Sequence, residues 1–109
     1  MTVREMAEAL SLTPISVQDA DRVLDGVYIG DLLSWVMGRA ESGNVWITIM
    51  SNINIVAVAS LVDVACIVLA EGVTLEDNVR KTAEDKGINV YTTEMTAYEI
   101  AARLATIKQ

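Results

Sequence analysis

Three carboxylates, Asp31, Glu71 and Glu94, each stand just past the end of an apolar run that reads as a strand. A further run ends in the cluster Ser51-Asn52-Ile53-Asn54. In an open α/β sheet, ligands gather at the carboxyl ends of strands, where helix N-termini present free N–H groups. Two readings of these residues stand side by side. As helix caps and turn residues they are fully explained. As a binding rim, Asp31, Ser34, Ser51, Asn52 and Asn54 would offer carboxylate, hydroxyl and amide groups to a metal-bridged or hydroxyl-rich ligand. A phosphate site would want glycines with a Lys or Arg. The glycines here are too few for a P-loop or a dinucleotide fingerprint, and no basic residue follows any strand.

The parts of an enzyme are missing. There is no histidine, so Ser34 and Ser51 lack the usual base and the commonest transition-metal ligand is absent. Cys66 lies inside an apolar run with no basic neighbour and reads as an inert buried thiol. Met37, Met50 and Met95 read as gap-fillers rather than a metal box. No catalytic residue, metal or cofactor is expected.

Those residues must be positioned by a single domain, because 109 residues leave room for one. The chain is 52% hydrophobic and only 5% aromatic, which suits parallel strands buried on both faces and excludes disorder. Its mean hydropathy of +0.38 is high for so small a domain, so another subunit is expected to cover some apolar surface. A net charge of -7 repels phosphate backbones and anionic membranes alike, so neither nucleic acid nor membrane is an expected partner. The candidate span Ile53 to Ala70 holds Asn54, Ser60 and Asp63, and a mid-membrane Asp costs roughly 2.5–3.5 kcal/mol. The N-terminus carries Arg4, Glu5 and Glu8 where a signal peptide needs an apolar segment. One cysteine allows no internal disulfide, and a cytoplasmic location is expected.

In chain order, Thr2 to Leu10 has the spacing of an amphipathic helix with Thr2 as N-cap. Ser11 to Val17 holds the only proline, Pro14, and reads as an edge strand. Gly26 to Gly30 is a strand, and Asp31 caps a helix whose Leu32, Leu33, Val36 and Met37 form an inward stripe. Val45 to Met50 and Cys66 to Ala70 are buried strands. A helix from Thr74 carries Asp77 in a variant capping box, with Glu76/Arg80 and Asp77/Lys81 as i,i+4 pairs, and Gly87 ends it. Asn89 to Thr92 is the last strand, and Thr96 with Glu99 boxes the final helix. The sum is a three-layer α/β/α domain with a mostly parallel sheet of about five strands.

The helix from Asn52 to Val64 has two apolar stripes. One runs through Ile53, Val56, Ala57, Ser60, Leu61 and Val64; the other through Ile55, Val58, Ala59 and Val62. One covers the sheet and the other needs its own cover. The expectation assigns Ile55, Val58, Ala59 and Val62, with Trp35, to a twofold homodimer interface.

The stretch GVYIGDLLSWVMGRAESGNVWITIMSNINIVAVASLVDVACIVLAEG resembles a DRTGG domain. The carriers are Gly30-Asp31-Leu32-Leu33-Ser34 with Val36-Met37, Trp46 with Thr48-Ile49, and Asn54-Ile55-Val56-Ala57-Val58-Ala59. Tyr91-Thr92-Thr93 with Tyr98-Glu99 extends the match. The resemblance covers the chain from about Val17 to Leu104, within one domain spanning residues 1–109. The string that names the family is not intact, since Asp21-Arg22 is followed by Val23, Leu24, Asp25 and Gly26, and Met50 and Asn52 replace the family's Gln and His. The resemblance implies a fold like the N-terminal domain of HPr kinase/phosphorylase and a non-catalytic role in assembly and regulation. It also implies a protein partner in signalling or redox metabolism. The alternative is a sensor of a small, nucleotide-like ligand at the carboxyl edge of the sheet.

Overall fold

The two most apolar runs become strands β3 (Val45–Thr48) and β4 (Cys66–Leu69), paired in parallel at the middle of a five-stranded sheet in a computed structural model that describes residues 1–107. Outside them lie β2 (Val27–Ile29) and β5 (Val90–Thr92), also parallel, and β1 (Thr13–Ser16) pairs antiparallel with β5 at one edge. The order is β1-β5-β4-β3-β2. Pro14 is tolerated because an edge strand has one side without ladder bonds. Helices α1 (Val3–Leu10), α2 (Leu33–Arg39), α3 (Asn54–Val62), α4 (Asp77–Asp85) and α5 (Ala97–Thr106) make the outer layers.

Alternation along the central strands divides the core into two. Val45, Ile47, Cys66 and Val68 point to α1 and α5, meeting Met6, Leu10, Ile100 and Leu104. Trp46, Ile67 and Leu69 point to α2, α3 and α4, meeting Val36, Ile55, Val79 and Ala83. Trp46 is fully buried, and its indole N–H donates to the Gly30 carbonyl at 2.9 Å, so the largest core side chain leaves no polar atom unpaired. Burial pushes the Cys66 thiol up to about 12, which keeps it protonated and unreactive.

Helix ends follow the sequence in part. Thr96 and Glu99 form the expected capping box, and Thr2 forms a second one with Glu5. Gly87 adopts φ +73°, with its N–H on Glu84 and the Ile88 N–H on Ala83, a Schellman end. Helix α4 starts at Asp77 rather than Thr74, and its N-cap Glu76 makes no side-chain bond. Arg80 pairs with Asp77 and Glu84 on its own helix, in place of the expected Glu76 and Asp77/Lys81 pairs. In α2, Leu33 and Val36 turn inward, while Leu32 and Met37 are about half exposed. This seven-residue helix at the end of the sheet has only a narrow strip of core beneath it, made by Tyr28 and Trp46.

The amino edge of the sheet is tied shut by side chains. Asp63, in the left-handed conformation (φ 67°) after α3, receives both Arg22 Nη atoms at 3.0 Å and the Ser42 hydroxyl. The Arg22 guanidinium first, then Ser42, holds the Asp63 carboxyl below its ordinary value of 3.8. Capping bonds from Thr2 and Thr96 lower Glu5 and Glu99 likewise. In the window below each ordinary value the unfolded chain binds more protons than the folded one, so stability is complete above it and falls as pH drops through the folded values. Asp63 is largely exposed, so its share is modest. The expected result is that Asp63→Asn is less stable than wild type at pH 7, and that the difference in urea melts narrows as the pH is taken progressively below 3.8.

Candidate functional site

The carboxyl rim of the sheet is built by three turns. After β3, the Asp31 Oδ1 atom accepts from the Thr48 hydroxyl at 2.8 Å and from the Ile49 N–H at 3.0 Å, and Thr48 Oγ1 accepts in turn from the Met50 N–H. Asp31 therefore does not cap α2, whose N-cap is Leu32 without a side-chain bond. It holds the turn that follows the neighbouring strand. Asn52 accepts from the Asn54 N–H at 2.9 Å, a local turn that opens α3. After β4, Glu71 (φ 58°) and Gly72 (φ +74°) bend the chain so that their N–H groups donate to the carbonyls of Met95 and Thr93.

This bonding decides what the rim can bind. The N–H groups of Ile49, Met50, Asn54, Glu71 and Gly72 all have internal acceptors, so those five are not offered to an anion. Asp31, Glu71 and Glu94 add negative charge. Among the described residues no hydrogen bond joins Asp31 to Ser51, Asn52 or Asn54. Ser34 lies on the exposed side of α2, Ser51 and Asn52 are exposed in the turn, and Asn54 lines a groove of ≈ 440 Å³ between α3 and α4. Replacing Asp31 with Ala should cost about 1 kcal/mol through the orphaned Thr48 and Ile49 donors. Asn54→Ala, removing an exposed and unbonded side chain, should stay within about 0.5 kcal/mol. Chemical denaturation of the pair separates a turn-holding rim from a set of equal ligand groups.

The expected interface residues are placed differently from the expectation. Ile55 and Ala59 are fully buried and Val58 nearly so, all within the core beneath α3, and Val62 packs against its margin. Ile55, Val58 and Ala59 are therefore closed to a partner, while Val62 keeps part of its surface. Of the other stripe only part faces outward, Ile53 at 47% and Leu61 at 74% exposure beside Ala57 and Ser60, while Val56 and Val64 are buried. Trp35 is 52% exposed, and the Arg39 guanidinium lies 3.6 Å from its ring centroid.

Sequence reasoning missed an apolar surface that surrounds β2. Val27 and Ile29 are in register with Val45 and Ile47 and so point to the face covered elsewhere by α1 and α5. Here that cover runs out, and Val27, Ile29 and Ile49 are 39%, 50% and 46% exposed. Leu32 and Trp35 flank the same edge on the α2 side. The Val45 N–H bonds Gly26 O, and the Gly30 N–H bonds Ile47 O. By strand alternation, the backbone groups of Val27 and Ile29 then face away from β3 and are unpaired. Strand order is not written in the sequence, so nothing there marked this three-residue run as an edge with one neighbour.

No helix among the described residues is long and apolar enough to cross a membrane. No protein-family model and no curated protein matches the sequence. Among solved structures, the chain is similar to the crystal structure of the CBS and DRTGG domains of the regulatory region of Clostridium perfringens pyrophosphatase, complexed with its activator diadenosine tetraphosphate. The TM-score is 0.78 at 16% identity, over 94% of this chain and 45% of that one, so the present chain spans less than half the length of its neighbour. The shared property is architecture: the chain has a DRTGG-like α/β fold.

Proposed function

We propose that this chain is a non-catalytic regulatory and assembly module of DRTGG type that pairs with a second copy of itself through the β2 edge. The observation that carries this is the concentration of exposed apolar side chains, Val27, Ile29, Leu32, Trp35 and Ile49, around one unprotected strand. The opposite edge is blunted: β1 contains Pro14, and its register shifts between Pro14 and Ser16. Antiparallel pairing of two β2 strands about a twofold axis would join the two sheets and satisfy the open backbone groups. The exposed parts of these residues come to roughly 500 Å² per protomer, about 1,000 Å² over the two, near the ~1,200 Å² of total buried surface at which specific interfaces begin. Trp35 and its stacked Arg39 are of residue types enriched among interface hot spots. The regulatory setting of the structural neighbour supports the same reading. Sedimentation velocity of the purified chain tests it: a dimer at about 100 μM is expected, and a clean monomer there overturns the pairing.

A second reading draws on the nucleotide activator bound to the neighbour. It makes the carboxyl rim of this chain a sensor for a nucleotide-like ligand. A ligand at 100 times its Kd adds about 2.7 kcal/mol of stability, so a thermal-shift screen of nucleotides with magnesium should reveal it. The carboxylates of Asp31, Glu71 and Glu94 on that rim weigh against a polyphosphate, which places this reading second.

A further inference from the structure

At the sheet edge opposite β2, α1 and β1 are joined by a tight turn and leave between them a groove of ≈ 450 Å³. Its walls are apolar, with Ala7, Leu12, Pro14, Val17 and Ala20, and its floor is Tyr91. Pro14 and Tyr91 are register partners, so they sit side by side on the same face of the sheet. Tyr91 is only 4% exposed, and its hydroxyl has no hydrogen-bond partner among the described residues. Every fully enclosed side-chain N or O atom there does have one. The phenol oxygen is therefore the part of Tyr91 that reaches open space, and the space it reaches is the groove. A hydroxyl donor on the floor of an apolar groove, carried by a side chain otherwise buried, suits a small-molecule site, and the volume falls in the range of such sites, about 300–1,000 Å³.

The surroundings choose the ligand's charge. Arg4 lines the groove but is already ion-paired with Asp21, and Glu8 lines it as well. Two carboxylates against one guanidinium disfavour an anion. Burial first of all raises the Tyr91 phenol above its ordinary value of 10.0, so it stays a proton donor at neutral pH.

We propose that the groove between α1 and β1 binds a small uncharged aromatic molecule, its ring packed on Pro14, Ala7 and Val17 and one carbonyl or ring nitrogen accepting from the Tyr91 hydroxyl. The site lies at the far end of the sheet from β2 and does not depend on the dimer.

The test is a titration of the full ¹⁵N-labelled chain with nicotinamide, adenine and nicotinate, followed by amide shifts. Nicotinamide or adenine should give saturable shifts at Leu12, Val17 and Tyr91, and nicotinate, the same ring carrying a charge, should bind at least tenfold more weakly. Tyr91→Phe removes an unbonded hydroxyl and should weaken binding about fivefold, the worth of one hydrogen bond. Val17→Trp, at a 44% exposed position, should lay an indole across the groove and abolish the shifts. Thermal melts confirm that both variants fold. Absence of saturable shifts with both neutral probes, equal binding of nicotinate, undiminished binding by both variants, or shifts confined to the Asp31–Asn54 rim would each overturn the proposal.

Discussion

Asn89→Ala should cost about 3–5 kcal/mol, the largest loss expected from any single polar substitution in this chain. The side chain is 3% exposed and uses all four of its hydrogen-bonding positions. Its oxygen accepts from the N–H groups of Gln18 and Asp19 at 2.8 and 2.9 Å. Its nitrogen donates to the carbonyls of Asp19 and Ala65 at 2.8 and 3.0 Å. Three separate stretches, the loop after β1, the turn before β4 and the start of β5, are thus joined through one amide. Alanine leaves two N–H groups and the Ala65 carbonyl without this partner, the Asp19 carbonyl keeping only the Arg22 N–H at 3.3 Å, at about 1–3 kcal/mol for each group that water fails to reach. Small domains carry about 5–15 kcal/mol in total, so the midpoint of thermal unfolding should fall by roughly 15–25 °C. Asn89→Asp keeps the acceptor but turns an oxygen toward two carbonyls, and should be at least as damaging. A urea melt in which either variant lies within 1 kcal/mol of wild type would refute the account.

Asn44 does the same work on a smaller scale, accepting from the Glu41 N–H and donating to the Asp25 carbonyl. Both asparagines immediately precede a strand at the amino edge. Together with the Arg22–Asp63–Ser42 cluster they lock that end of the molecule, and the carboxyl rim is locked by Asp31 and the Glu71-Gly72 bend. At both edges the bonded groups hold the backbone together rather than face a ligand. Free surface lies instead at the two lateral ends of the sheet, the apolar margin of β2 and the slot beside β1.

Periodicity made the architecture legible. The continuous runs of β3 and β4 announced buried parallel strands, Pro14 announced an edge, and Thr96 with Glu99 announced a helix start. Periodicity failed where it carried no contrast. Helix α3 is apolar on nearly every side, so counting stripes placed Ile55, Val58 and Ala59 outside when the sheet and α2 enclose them. Asn54 and Ser60, the two polar residues between Ile53 and Val62, mark the outer face, and weighing them would have oriented the helix. Asp31 misled for another reason. A carboxylate just before a helix normally caps it, but here its partners lie on the next strand, and a pairing across 17 residues leaves no local trace. The roles of Asn89 and Tyr91 also depend on contacts between distant segments.

Ile29→Glu should separate two subunits without unfolding either, and Val58→Glu should do the reverse. Ile29 is half exposed at the outer margin of β2, so a carboxylate there remains hydrated in the monomer and the melting temperature should move little. In a twofold pair the substitution enters twice, close to the axis, and sets two unpaired negative charges in the same apolar seam. A loss of about 3 kcal/mol, or roughly 150-fold in Kd, is a modest expectation for that. Val58 is 6% exposed against the core beneath α3, where an ionised carboxylate has no partner and no water. That variant should be unfolded or aggregated before any question of association arises. Sedimentation and circular dichroism on the two proteins therefore distinguish the β2 edge from the inner stripe of α3 as the contact surface. A folded, monomeric Val58→Glu beside an intact Ile29→Glu dimer would return the interface to α3 and reverse the assignment made from burial.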